Sequence, residues 1–154
     1  TAEQGAPHQP MYFNQLEALY DHYTVVASRI KVTAAPLIDI QPMSCVLWIN
    51  DDAVTTGSIE ACQERSDQLF MTSAGLPHTN VLKKSWDIKT AFGKGASLAQ
   101  SDMRGSGTSN PSEQQFYTIT IQSVDKSSTT SMYFQLEIEY DTIWNELKDV
   151  AKST

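Results

Sequence analysis

Residues 131–143 read SMYFQLEIEYDTI. Met132, Phe134, Leu136, Ile138 and Tyr140 fall at every second position, and Tyr133, Gln135, Glu137, Glu139 and Asp141 fill the places between. A repeat of two cannot be laid on a helix without wrapping apolar side chains all round it. The stretch is therefore a strand with one dry face and one wet face. Phe116 to Val124 repeats the pattern, with Tyr117, Ile119 and Ile121 pointing in and Thr118, Thr120 and Gln122 pointing out. Between them Asp125 to Thr130 is made of turn residues, so the spacing predicts an antiparallel hairpin.

Working outward, Thr79 to Ile88 alternates too. Leu82, Lys84, Trp86 and Ile88 share one side, and Val81, Lys83, Ser85 and Asp87 share the other. Ser44 to Ile49, SCVLWI, is apolar on both sides: Cys45, Leu47 and Ile49 face one way, Val46 and Trp48 the other. Such a strand is expected to be covered twice, by the core and by a neighbour. A second subunit is the cover proposed for Val46 and Trp48. Ser58 to Asp67 reads as a helical turn or polar loop. Phe92 to Pro111 holds four glycines among Ser, Thr and Asn and reads as a long exposed loop of the kind that serves binding or assembly.

The front of the chain carries MYFNQLEALYDHYTVVASRIKV, Met11 to Val32. Asn14 followed by Glu17 is a capping-box variant. Phe13, Leu16, Tyr20 and Tyr23 recur at helical spacing, which predicts about two turns of helix. Thr24, Val25, Val26, Ile30, Val32 and Thr33 are β-branched and predict a long strand, ended by Ala35-Pro36. At the other end Ile143, Trp144, Leu147 and Val150 suggest a short amphipathic tail docking on a neighbour, which adds Trp144 and Leu147 to the expected subunit interface. The whole predicts one all-β domain over residues 1–154: an antiparallel sandwich or jelly roll with one short helix and long surface loops.

At 154 residues the chain is long enough to bury a core without staples. Its formal net charge is −7, which argues against strong nucleic-acid binding by this chain alone, because that affinity comes from Lys and Arg on phosphates. Arg29 and Lys31 on one strand and Lys83 and Lys84 on another are the best candidates for phosphate contact. Cys45 and Cys62 read as two buried free thiols. No apolar run is long enough to span a membrane. The opening TAEQGAPHQP has no initiator Met and is expected to be the interior of a longer protein.

Candidate chemistry is sparse. Gly93-Lys94-Gly95 lacks the spacing of a phosphate loop. His8, His22 and His78 are scattered and fit no zinc motif. Asp21-His22 has no nucleophile elbow to serve. Asn50, Asp51 and Asp52 offer oxygens to calcium but read as a solvated turn. No catalytic residue, cofactor or metal is expected.

Three segments carry a resemblance. Gln9-Pro10-Met11-Tyr12-Phe13-Asn14-Gln15, then Leu19-Tyr20-Asp21-His22-Tyr23-Thr24-Val25, then Ser28-Arg29-Ile30-Lys31-Val32, resemble a run in the capsid proteins of circovirus-like viruses. Asn110-Pro111 ahead of a late strand and the closing Leu136-Glu137-Ile138-Glu139-Tyr140 fit the same family. The resemblance implies a single jelly roll that self-assembles with identical subunits into an icosahedral shell around a circular single-stranded DNA genome. It implies no enzyme activity and no cofactor, and a place in the virion and, during assembly, the host nucleus. A host surface receptor is a further partner of such a shell. The family's Arg-rich arm, which carries most of the genome binding, and its first strand are both missing from this chain. Two rivals remain open: a lectin-like module with Trp48, Trp86 and Trp144 stacking on sugar, and a cupin-like enzyme, which needs clustered His and acids.

Overall fold

The computed structural model describes residues 9–36, 42–51, 58–64, 67–73, 80–93, 101–125 and 132–149. His8, Asp52, His78, Lys94, Gly95, the turn over 126–130 and Val150 lie outside the described residues. Strand β1 runs Tyr20–Pro36, β2 Met43–Asn50, β3 Leu69–Ser73, β4 Asn80–Asp87, β5 Phe116–Ser123 and β6 Met132–Leu147. They form two antiparallel three-stranded sheets, ordered β4-β1-β6 and β3-β2-β5. The sheets lie face to face, so the chain is an all-β sandwich.

The β-branched run makes β1 the centre of its sheet, with β6 on one side and β4 on the other. Ile30, Val32 and Leu82 point inward and meet Cys45 and Leu47 of β2, with Leu69, Met71, Tyr117, Ile119 and Phe134 packed around them. A bulge near Val26 shifts the register between β1 and β6, so Tyr23 and Val25 take over the inward face in the first part of the strand. Strand β2 is buried along almost its whole length, as its two apolar faces predict.

Two helical turns support this frame. α1 spans Phe13–Glu17 and α2 spans Ile59–Gln63. Ser58 caps α2 by accepting a hydrogen bond from the Ala61 N–H at 3.3 Å. Ile59 and Cys62 of α2 then pack onto Val46 and Trp48. A third turn, α3, spans Ile88–Phe92, with the Asp87 carboxylate accepting from the N–H groups of Lys89 and Thr90.

Several expectations are corrected. Strands β5 and β6 do not form a hairpin: they belong to different sheets. Each finds its hydrogen-bond partner far back in the chain, β5 on β2 and β6 on β1. The Asn14 capping box is absent. Tyr12 caps α1 from a left-handed conformation with no side-chain bond, and the helix lasts one turn. Tyr20 and Tyr23 belong to β1, because pairing with β6 offers a full ladder where a second helical turn offers little. There is more than one short helix among the described residues. The amphipathic tail is instead the end of β6, paired to the start of β1, with Tyr20 opposite Leu147 and Tyr23 opposite Trp144.

Candidate functional site

The two sheets do not close equally on both sides. β3 and β4 lie against each other, whereas β5 and β6 leave a cleft of about 460 Å³ between them. Tyr117 and Ile119 of β5 line one wall, and Leu136, Ile138 and Tyr140 of β6 line the other. Those three β6 residues point inward, as the period of two predicts, yet remain 52%, 42% and 46% exposed. One polar link crosses near the cleft: the Ser28 and Tyr117 hydroxyls are 2.8 Å apart. Burial pushes the Tyr117 phenol above its usual range, against the opposing pull of Ser28 and Arg29. Among the described residues β5 and β6 are also free edges, since each pairs on one side only.

The outer face of the β4-β1-β6 sheet carries a charge ladder. Arg29 bonds both Glu139, at 3.2 Å, and Asp141, at 3.0 Å. Lys31 bonds Glu137 at 2.9 Å. Cations on the neighbouring strand thus offset the repulsion within the carboxylate row. Glu139 and Asp141 hold the Arg29 guanidinium more firmly protonated than usual. Lys83 sits opposite Lys31 on the same face. Lys84 does not join them: it points inward, mostly buried, and bonds Asp67. The four residues offered for phosphate contact are therefore split, and two of them already serve carboxylates.

The expected interface residues separate as well. Val46 and Trp48 are fully buried, Trp48 being 1% exposed, under the chain's own α2. No copy can reach them, which corrects the expectation of a subunit cover there. Trp144 sits in an aromatic group with Phe13, Tyr20 and Tyr23, at centroid distances of 5.4–6.3 Å. Leu147 is 70% exposed and available.

The Gly-rich loop has a structural role that the sequence did not flag. Gly105 and Tyr23 exchange both backbone hydrogen bonds at 2.9 Å, extending the sheet past the end of β4. The Tyr23 ring lies where a Cβ on residue 105 would go, so only glycine fits. Close by, Arg104 and His22 both bond Glu146, at 3.2 and 3.4 Å.

Among the described residues no three His, Cys, Asp or Glu gather in a way that holds a metal ion. Asn50 is buried at the end of β2, while Asp51 is exposed. Cys45 and Cys62 are free thiols buried on opposite faces of the β2 sheet, as expected. Burial pushes the Cys45 thiol up to about 11. No helix among the described residues is long and apolar enough to cross a membrane. Compared with known protein families, with curated proteins and with solved structures, the chain finds no match.

Proposed function

We propose that the chain is a structural coat subunit: a jelly-roll domain that assembles with identical copies into a small icosahedral shell around single-stranded DNA. The observation that carries this reading is the strand order. Every connection except β2 to β3 crosses from one sheet to the other. In an eight-stranded jelly roll the first strand lies beside the last and the second beside the seventh. An eight-stranded roll without its first two strands keeps the order β4-β1-β6 facing β3-β2-β5, one strand fewer than the resemblance alone implies. Both free edges then fall on one side of the sandwich, where the cleft is found. The resemblance of the Gln9–Val32 segments to circovirus-like capsid proteins supports the same reading, and with it a place in the virion and the host nucleus.

The resemblance assigns genome contact to an Arg-rich arm rather than to Arg29 and Lys31, which are paired with Glu137, Glu139 and Asp141. The lectin rival loses its binding platform. Trp48 is sealed, and Trp86 and Trp144 are largely buried with their indole nitrogens out of reach of solvent.

Negative-stain electron microscopy and light scattering of the purified protein test the reading. Closed particles of uniform diameter are expected. A monomer at every concentration, together with saturable glycan binding, overturns it.

A further inference from the structure

We propose that the free edge of β4 pairs antiparallel with β4 of a second copy, with Ser85 on the two-fold axis. The inference names one contact within the proposed shell and takes from the jelly-roll reading only the choice of edge. β4 runs Asn80–Asp87, and among the described residues only β1 pairs with it. In an eight-stranded jelly roll it stays an edge, because the first two strands lie beside β6 and β5. α3 follows at once but packs back on β4 and β1, so the chain turns away from the open side. An open edge is a template for a further strand, and a two-fold pair satisfies two such edges together.

The outward side chains choose the register. Lys83, Ser85 and Asp87 share the outer face and are exposed. Lys31, opposite Lys83 on β1, is bonded to Glu137, so among the described residues Lys83 has no carboxylate of its own. Asp87 gives Oδ1 to both cap bonds of α3, and Oδ2 is left to accept from a cation. A lysine on an edge ordinarily opposes pairing. Here an acid follows on the same face, and with Ser85 on the axis Lys83 of each copy stands opposite Asp87 of the other. Lys84 then meets Trp86 on the inner face. An axis at Lys83 or at Lys84 sets that lysine against itself. An axis at any other residue of the strand leaves Lys83 opposite no acid.

The remaining edges do not offer this. On the jelly-roll reading β5 and β6 are taken by the roll's own first strands. β3 lies against β4 on the same side of the sandwich and carries no charge from Leu69 to Ser73, so nothing in it fixes a register. Pairing β4 with the β3 edge of a copy leaves Lys83 and Asp87 both unanswered. When β4 pairs with its counterpart, the two β3 edges come to the same seam without opposing charges.

Single cysteines placed on the edge test this in the full chain, where Cys45 and Cys62 are buried. Ser85→Cys is expected to give a disulfide-linked dimer under mild oxidation, because directly opposed Cβ atoms lie about 5 Å apart. Val81→Cys is expected to give none, since this register holds the two Val81 positions about 27 Å apart along the strands. In sedimentation, Lys83→Glu is expected to weaken pairing about tenfold or more, because like charges then meet at both ends of the seam. Asp87→Lys does the same, and Asp87→Asn, which keeps the cap acceptor, weakens pairing less. An equal mixture of Lys83→Glu and Asp87→Lys chains is expected to pair again, since the mixed edge sets a cation opposite an anion at both ends. Circular dichroism confirms that each variant keeps its sheets. Absence of the Ser85→Cys link, an equally ready link at Val81→Cys, or undiminished pairing of Lys83→Glu overturns the proposal. Closed particles that lack the Ser85→Cys link overturn it and leave the shell reading standing, whereas linked dimers that never close do the reverse.

Discussion

Strands β2 and β6 are both rich in apolar residues, and the fold treats them in opposite ways. β2 is central in its sheet and sealed twice, by the opposing sheet on one face and by α2 on the other. β6 carries the same kind of inward row, yet most of that row faces an open cleft, because the opposing sheet does not extend over it. The difference teaches that a strand's apolar row records the cover it is built for. At β2 the chain supplies that cover itself. At β6 the described residues supply half of it, and the remainder reads as a contact surface.

Truncating the two strands should expose the contrast most sharply. Trp48→Ala removes a fully buried ring between α2 and β2 and is expected to destabilise the fold by about 3–5 kcal/mol. Leu136→Ala on β6, half exposed, is expected to lose about 1 kcal/mol. Urea unfolding of both variants measures this, and equal losses would mean that the β6 face is covered in solution. Gly105→Ala comes next. Its Cβ runs into the Tyr23 ring where the loop pairs with β1, at a cost of about 1–3 kcal/mol. Faster amide exchange at Tyr23 is the local readout.

The dryness of the β2 core also has a pH signature. The unfolded Cys45 thiol ionises near pH ~8.5, whereas burial raises the folded one to about 11. The stability contributed by keeping it protonated is complete below the unfolded value and is lost as pH rises towards the folded one. Burial also raises the Tyr23, Tyr117 and Tyr140 phenols, which add to the alkaline loss. The urea midpoint should therefore fall between about pH 8 and about pH 10.5, and Cys45→Ala should fall less steeply over that span. An identical slope for the variant would show that water reaches Cys45. The smallest effect is expected on the outer face. Lys31→Met breaks the half-exposed bond to Glu137 and should cost less than about 1 kcal/mol, with high salt erasing the difference.

Much of the strand content was legible because it rests on local periodicity. The alternation through Leu136, Ile138 and Tyr140, the β-branched run from Thr24 to Thr33, and the two-sided SCVLWI segment each lie on the strand the sequence predicts. The charge ladder was half legible: the row of Glu137, Glu139 and Asp141 on the wet face was plain, but not that Arg29 and Lys31 answer it from the adjacent strand. The helix at Phe13 was overextended, since Tyr20 and Tyr23 satisfy a helical period and a strand ladder equally well on paper. Gly105 carried only the weak signal of a glycine in a polar loop.

From the residues alone came the all-β character, the two faces of β4, β5 and β6 and the burial of both cysteines, because side-chain alternation is a property of neighbouring residues; β3, Leu69–Ser73, was not read from the sequence. Only the tertiary structure decided that β5 pairs with β2 and β6 with β1 instead of with each other, that α2 seals Trp48, and that the sandwich opens along one side. Those outcomes depend on which distant strands bury the most apolar surface together, and an unpaired edge looks the same in sequence as a paired one.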